Sequence, residues 1–269
     1  MALLRQENVI FYHKLDDLTE STRNQLWAGV GGFGLSGAVG QALAMFPSDI
    51  LSSGAAADTP ASGTTLYGVS LAVLNQTQVI LFSTLSSTNG AYAKLGTVSG
   101  TTITWGDNVS VRNVGGQLTS HGCELSSTTA IVFAGDLYNK PKGYVCTVSG
   151  TTLTVGSGYE IGENLTNGCT SMRVARVDDT HFLFTQAEEH WTSDICRSWI
   201  GTVSGTTISY GTQYEWAPLG TWPIYEIVMM NSTTPVTVYS AGLNNAPYAK
   251  FGNISGTNIN LYAAQQIAP

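Results

Sequence analysis

The densest group of side chains that could take part in chemistry lies in one short stretch of the chain. It consists of Glu188, Glu189, His190, Trp191 and Asp194. An indole ring can pack against the face of a sugar ring, and carboxylates beside it can accept hydrogen bonds from the sugar hydroxyls. The alternative is a solvated loop in which Trp191 packs on its neighbours. The stretch is therefore a candidate binding loop, and carbohydrate is the ligand class that its residue types favour.

The other chemical groups in the sequence do not form a catalytic or metal-binding pattern. Asp16 and Asp17 are adjacent acids, whereas a glycosidase pair must flank its substrate at a separation of about 5 to 10 Å. Adjacent acids in a charged turn are more often solvated or capping residues. His13, His121 and His181 have no second ligand at the spacing of a zinc site. We predict no catalytic residues, no metal site and no cofactor.

A repeated unit reveals the elements that must position any site. The sequence Gly-Thr-Val-Ser-Gly-Thr-Thr-Ile-Thr-Trp-Gly at 96–106 returns in related form at 146–156, 201–211 and 252–262. β-Branched residues alternate on both sides of a Ser-Gly pair, and the glycine can supply the positive φ that a tight hairpin turn requires. The turn glycines are Gly100, Gly150, Gly205 and Gly256.

Each hairpin is preceded by a second polar turn, and together the two turns define a repeat of four strands. These upstream turns lie at Leu74–Thr77, Leu125–Thr128, Val177–Thr180 and Met230–Thr233, each with apolar runs on both sides. After each Ser-Gly turn, two apolar residues alternate and predict one buried face: Ile103 and Trp105, Leu153 and Val155, Ile208 and Tyr210, Ile259 and Leu261. A four-stranded antiparallel meander of this length predicts an all-β protein, a β-propeller built from repeated blades.

The number of blades depends on the first 50 residues. There, Leu4–Glu7 followed by Val9–Tyr12 repeats the order of polar turn and apolar strand, and Gly37 matches the hairpin glycine. The sequence therefore predicts a single domain of five blades, the first one degenerate, at about 1–50, 64–112, 113–162, 163–217 and 218–269. The alternatives are four blades with an N-terminal arm, and a sandwich or two-domain arrangement.

Variable loops on one end of the predicted blades are the places to look for binding. Consecutive turns of a meander alternate between two ends, and one end has the loops that vary in length: Leu15–Trp27, Ser86–Ala91, Leu137–Lys142, Ala187–Asp194 and Gly242–Pro247. Binding residues concentrate on such loops when a rigid scaffold positions them. The loops add Tyr138, Lys140, Asn244 and Asn245 to the candidate binding residues.

Composition excludes several partners. With 11 Lys and Arg against 18 Asp and Glu, the chain has a net charge of −7. It lacks the excess of basic residues that binds phosphate backbones and anionic lipids. We therefore predict no nucleic-acid partner and no membrane insertion.

The N-terminus has no secretory signal pattern, which predicts assembly in a cytoplasm. The 4 cysteines show no metal spacing, and we expect buried free thiols.

The repeat unit resembles sequences of a known kind. The GTVSGTTI units, over residues 65–267, and the opening stretch Asn8–Glu20 resemble propeller repeats and leading segments of virion structural proteins of tailed bacteriophages, especially tail-fibre and adhesin-type proteins. This resemblance implies a virion protein without catalytic activity, assembled in the host cytoplasm. Its implied partners are other virion proteins and a host cell-surface glycan or receptor, and a homo-oligomer is compatible with it.

Three functional hypotheses follow from the sequence. The first is a non-enzymatic phage virion protein, either a receptor-binding or fibre-type propeller or a protein that decorates the particle. The second is a lectin-like glycan-binding propeller, and the third is a propeller glycoside hydrolase. A glycan array separates the lectin from a purely structural role, and hydrolysis assays test the enzyme.

Overall fold

The computed structural model describes residues 66–85, 90–100, 102–113, 118–136, 140–161, 169–188, 195–216, 225–241 and 246–267. The regular secondary structure in these ranges consists of β-strands. Within them, no helix is long and apolar enough to cross a bilayer. The chain divides into two compact units, one of residues 1–58 with 99–103 and one of residues 59–98 with 104–269. The second unit holds nearly all the described strands. The blade predicted for residues 1–50 lies outside the described residues, so the count of five blades stays a prediction.

The strands form four sheets in chain order. Sheet I contains β1 (Leu66–Asn75), β2 (Gln78–Leu85), β3 (Gly90–Ser99) and β4 (Thr102–Asn113). Sheet II contains β5 (Leu118–Ser126), β6 (Thr129–Asp136), β7 (Lys142–Ser149), β8 (Thr152–Val155) and β9 (Tyr159–Glu160). Sheet III contains β10 (Cys169–Arg176), β11 (His181–Glu188), β12 (Ile195–Ser204), β13 (Thr207–Tyr210) and β14 (Tyr214–Trp216). Sheet IV contains β15 (Tyr225–Asn231), β16 (Thr234–Ala241), β17 (Ala246–Ser255), β18 (Asn258–Leu261) and β19 (Gln265–Gln266).

Each sheet is the predicted antiparallel meander, with one addition. Four strands pair in chain order in every sheet, and a short fifth strand in sheets II, III and IV pairs with the third strand. In those sheets the fourth strand has only 4 residues, against 8 to 10 in the third strand. The fifth strand therefore supplies hydrogen bonds to the part of the third strand that the fourth one does not reach. The sequence did not predict these strands.

The two predicted turns are present in all four sheets. The hairpin glycines Gly100, Gly150, Gly205 and Gly256 have φ between 58° and 60°, as predicted. In the upstream turn, the backbone N–H of Thr77 donates to Asn75 Oδ1 at 2.9 Å. Ser126, Asp178 and Asn231 accept the same bond in the other sheets, at 3.3, 2.8 and 2.9 Å. Short polar side chains close these turns on their own backbone, which explains why the pattern could be read from sequence.

The positive φ of the hairpin gives a first testable prediction. We expect Gly205→Val to lower the free energy of unfolding by about 1 kcal/mol or more, because a β-branched residue is forced to a positive φ. A Cβ at this position meets no atom within 4 Å, so crowding does not contribute. Gly205→Asn is the control, since asparagine tolerates this conformation better. Urea denaturation measures both variants, and equal losses would show that φ is not the cause.

The sheets pack face to face through three apolar clusters. The first cluster joins Ile80 and Phe82 of sheet I to Val132 and Tyr144 of sheet II. The second joins Ile131 and Phe133 of sheet II to Phe182 and Phe184 of sheet III. The third joins Leu183 and Ile200 of sheet III to Ile227 and Ile254 of sheet IV. Neighbouring residues of a strand point to opposite faces of its sheet. We call the face that points toward the lower-numbered sheets the leading face, and the opposite one the trailing face.

This arrangement is propeller-like. The first strands β1, β5, β10 and β15 contact one another in turn, as the innermost strands of a propeller do. Cys123, Cys146 and Cys196 are buried free thiols, as predicted, and burial raises the pKa of Cys146 to about 12. The structure does not describe the side chain of Cys169.

The apolar pairs of the fourth strands are not all buried. Ile208, Ile259 and Leu261 are buried, and Leu153, Val155 and Tyr210 are partly buried against the same clusters. Ile103 is 38% exposed, so the prediction of a buried face was wrong at this residue. These pairs lie on the leading faces of their sheets.

Candidate functional site

The structure describes only a small part of the predicted binding loops. Glu188 is the last residue of β11, and Lys140 lies two residues before β7 and is half-buried. The other predicted binding residues lie outside the described ranges: Tyr138, Glu189, His190, Trp191, Asp194, Asn244 and Asn245. Whether these side chains come together therefore stays a prediction.

A different set of residues, at equivalent positions of the sheets, lies near the ends of the same loops. In each sheet a row of paired residues crosses the strands on the leading face. The rows are Val69, Ser83 and Tyr92 in sheet I, and Ser120, Ala134, Lys142 and Glu160 in sheet II. They are Met172, Gln186, Arg197 and Glu215 in sheet III, and Tyr225, Tyr239, Tyr248 and Gln266 in sheet IV. We call these the cross-strand rows.

The row of sheet III combines an amide, a guanidinium and a carboxylate. Gln186 is fully buried, and neither atom of its side-chain amide has a hydrogen-bond partner. Its neighbour in the row, Arg197, has Nε 3.6 Å from Glu215 Oε2. The side chain of Arg197 is 15% exposed and that of Glu215 is 55% exposed. The row therefore runs from a buried polar group to a solvent-exposed ion pair.

The opposite wall belongs to the trailing face of sheet II. It includes Gly135, Pro141 and Ile161, all of them buried. A Cβ added at Gly135 would lie 3.2 Å from Pro141 Cβ and 3.4 Å from Met172 Sδ, so the missing side chain lets Met172 approach this wall. We call the interface between this wall and the row of sheet III the II–III cleft.

The II–III cleft offers both donors and acceptors of hydrogen bonds. An amide has two N–H donors and one oxygen acceptor, a guanidinium has five donors, and a carboxylate accepts on two oxygens. Vicinal hydroxyls of a sugar need donors and acceptors together. The chemical capacity of Gln186, Arg197 and Glu215 therefore matches a polyhydroxylated ligand.

Sequence reasoning overlooked this row, although one signal was present. Phe182 and Phe184 of β11 point to the leading face, and the same alternation places Gln186 at the next apolar position. A polar residue in an apolar alternation is informative because buried polar groups are costly. The sequence instead predicted a site on the adjacent loop, where acids and an indole stand together.

Sheets III and IV enclose an aromatic group whose role is packing. Trp216 and Tyr239 make an edge contact at 5.5 Å between ring centroids, and Tyr239 stacks on Tyr248 at 5.9 Å. Lys250 Nζ lies 5.4 Å from the Trp216 ring centroid, and burial lowers the pKa of Lys250. Trp216 Nε1 donates to Ser198 Oγ at 2.9 Å. The rings pack on one another, and the indole N–H has its partner within sheet III.

The first strands carry a second set of equivalent polar residues that tie the sheets together. Ser70 Oγ accepts a hydrogen bond from the backbone N–H of Gly122 at 2.9 Å. His121 Nδ1 accepts one from Val174 N–H at 3.2 Å. At the next junction Arg173 Nε donates to Glu226 Oε2 at 3.2 Å.

His121 is a structural residue on this geometry. Burial, together with the nearby charge of Arg173, lowers its pKa to about 3, so the ring is neutral at pH 7 and Nδ1 can accept. In the described part of the chain, His, Cys, Asp and Glu form no group of three or more that could hold a metal ion.

No family model and no curated protein match the chain. Among solved structures, AofleA from the fungus Arthrobotrys oligospora is similar at 9% identity and a TM-score of 0.53, over 77% of this chain and 57% of that one. A mutant of the Aleuria aurantia lectin, in complex with Fucα1-6GlcNAc, matches at 9% identity and a TM-score of 0.49, over 76% and 64%. The chain thus spans less than two thirds of either protein. The first likeness is one of fold.

Proposed function

We propose that the protein is a non-enzymatic carbohydrate-binding propeller and that the II–III cleft holds a sugar. The observation that carries this proposal is Gln186, which is fully buried with both amide atoms unpaired. Folded proteins satisfy the large majority of their buried polar groups, and an exception calls for an explanation. A ligand that hydrogen-bonds to the amide supplies one.

The fold itself does not require glutamine at this position. In each sheet, the carbonyl of the threonine that ends the upstream turn accepts a backbone hydrogen bond from the third strand, as Thr180 does from Val203. Gln186 lies six residues after Thr180, and the residues at the same distance in the other sheets are Ser83, Ala134 and Tyr239. Alanine at the equivalent place in sheet II shows that a small apolar residue is compatible with the same strand pairing. The amide is therefore a feature of this one cleft.

The neighbours of Gln186 favour a sugar over an apolar or purely ionic ligand. Arg197 donates, Glu215 accepts, and the glutamine amide can do both, which suits hydroxyl groups that also donate and accept. The opposite wall of Pro141 and Ile161 is apolar and can contact the C–H groups of a sugar ring. At 9% identity, the comparisons extend to the fold alone, so the proposal rests on the cleft.

The resemblance of the repeats to tail-fibre and adhesin proteins of tailed bacteriophages favours a virion as the place where this binding acts. The virion assignment is independent of the cleft. Electron microscopy of intact particles that contain the protein would test it.

Gln186→Met is the decisive variant, because methionine has a similar volume and no polar group to leave unpaired. We expect loss of carbohydrate binding together with a gain of about 1 to 3 kcal/mol in the free energy of unfolding. Binding is measured on a glycan array and by calorimetry, and stability by urea denaturation. Ser83→Ala, at the equivalent position of sheet I, is the matched control and should change neither result.

Two outcomes would contradict the proposal. One is full binding by the stabilised Gln186→Met protein. The other is loss of binding by Trp191→Ala combined with His190→Ala while Gln186→Met still binds, which would move the site to the loop predicted from the sequence.

A further inference from the structure

We propose that a second cleft, between sheets I and II, binds the anionic group of an acidic saccharide. This inference takes the saccharide from the proposed function, but it uses different residues and a different part of the molecule. We call the interface between the trailing face of sheet I and the cross-strand row of sheet II the I–II cleft.

Two buried hydroxyl groups in the I–II cleft have no hydrogen-bond partner. Thr84 is fully buried on the trailing face of sheet I, and its Oγ1 is unpaired. Ser120 is 7% exposed on the leading face of sheet II, and its Oγ is also unpaired. The two side chains point into the same interface from opposite sheets, since Thr84 shares a strand face with Phe82, and Ser120 shares a row with Ala134.

A buried guanidinium lies beside this row. Arg112 is 7% exposed, and its Nη1 donates to the backbone oxygens of Ala134 and Lys140 at 2.7 and 2.9 Å. Ala134 is the strand partner of Ser120, so these bonds fix the guanidinium next to the row. Nε and Nη2 remain as donors, and an arginine fork matches the two oxygens of a carboxylate.

The cleft has an excess of positive charge at its mouth. Lys142 Nζ lies 3.0 Å from Glu160 Oε1, and these side chains are 34% and 55% exposed. The hydrogen bond from Lys142 and its charge lower the pKa of Glu160, and the charges of Lys140 and Arg112 act in the same direction. Lys142 thus pairs with the carboxylate of Glu160, and the charges of Lys140 and Arg112 add positive potential there, in a chain whose net charge is −7.

These groups fit an oxyanion and distinguish this cleft from the II–III cleft. Two hydroxyls and the free edge of a guanidinium can donate to an anion, and Lys140 adds an attractive charge. In the II–III cleft the equivalent of Ser120 is Met172 and the buried polar group is a neutral amide. The I–II cleft therefore selects for charge, whereas the II–III cleft selects for hydroxyls.

The test compares three probes on wild-type protein and two variants. The probes are glucuronate, glucose 6-sulfate and glucose, measured by calorimetry at low and at physiological salt. Thr84→Val combined with Ser120→Ala removes both hydroxyls and leaves Arg112 in place as a tie between the sheets. We expect wild-type protein to bind at least one anionic probe at least tenfold more tightly than glucose, with an affinity that falls with salt. The double variant should lose that tenfold preference, and Gln186→Met should keep it.

The outcomes separate the two proposals. An unchanged anionic preference in the folded double variant, or no preference in wild-type protein, would overturn the I–II site. If the neutral saccharide is lost in Gln186→Met while no anionic preference exists, the proposed function stands and this inference fails. If Gln186→Met retains all binding and the double variant loses the anionic probe, the I–II site stands and the II–III site fails. Urea denaturation of the double variant checks that it is folded.

Discussion

Acid should destabilise the protein well before its carboxylates titrate, and His121→Ser should remove most of that effect. The pKa of His121 is lowered to about 3 in the folded protein, from 6.5. Below pH 6.5 the unfolded chain takes up a proton that the folded protein does not. The contribution of His121 to stability therefore falls as the pH drops from 6.5 and levels off near pH 3. At about 1.4 kcal/mol for each pH unit, the loss is on the order of 5 kcal/mol at most.

Serine is the matched replacement because Ser70 accepts the equivalent backbone hydrogen bond in sheet I. His121→Ser leaves some unfilled space, so its stability at pH 7 is expected to be lower. The readout is therefore the change in the free energy of unfolding between pH 7 and pH 4.5, from urea curves at each pH. Hydrogen bonds, against an opposing desolvation, lower the pKa of Asp178 from 3.8 to about 2. This carboxylate therefore loses its stabilising effect only below pH 3.8. An identical pH dependence in wild type and variant above pH 4.5 would refute the role of His121.

Gly201→Ala should be among the most destabilising single substitutions in the protein. A Cβ at Gly201 would overlap the ring of Phe182, which is fully buried in the cluster between sheets II and III. The ring cannot move easily, since Phe133 packs against it at 5.5 Å between centroids. We expect a loss of about 3 kcal/mol or more in the free energy of unfolding, at the upper end of the cost of overpacking.

Two further variants test the cause of that loss. Gly106→Ala is the control, because a Cβ there comes no closer than 3.5 Å to any atom, and we expect a change of about 0.5 kcal/mol or less. Phe182→Leu should partly rescue Gly201→Ala, because the smaller side chain vacates the space that the ring occupied. Additive losses in the double variant would exclude the ring as the origin.

The meander could be predicted from the sequence because its turns depend on local chemistry. Gly205 needs positive φ, and Asp178 closes a turn on its own backbone, so both leave a signature in consecutive residues. The propeller-like packing followed from repetition of that unit. The short strands β9, β14 and β19 left no such signature. Each pairs with the part of the third strand that the shorter fourth strand leaves unpaired, so its presence depends on the lengths of two other strands.

The candidate sites were harder to predict for a related reason. Gln186 and Arg197 become neighbours through strand register, and Thr84 and Ser120 through the packing of one sheet on another. Neither relation is visible along the chain. Aligning the repeats would have placed Ser70, His121, Arg173 and Glu226 at one position, each 51 to 53 residues from the next.

The prediction of a phage virion protein stays a prediction, since the structural likeness shown is one of fold.

The junctions between the first strands limit how freely the repeats could be exchanged. Ser70 and His121 both present an acceptor to a backbone N–H of the following sheet. A duplicated sheet II could therefore be followed by another copy of itself, since His121 would again meet an N–H group. Arg173 can only donate, and its partner is the carboxylate of Glu226. In a copy of sheet III inserted before sheet II, Arg173 would meet His121 and the N–H of Gly122 in place of a carboxylate. A rearrangement of the repeats that keeps this ion pair would therefore have to move sheets III and IV together.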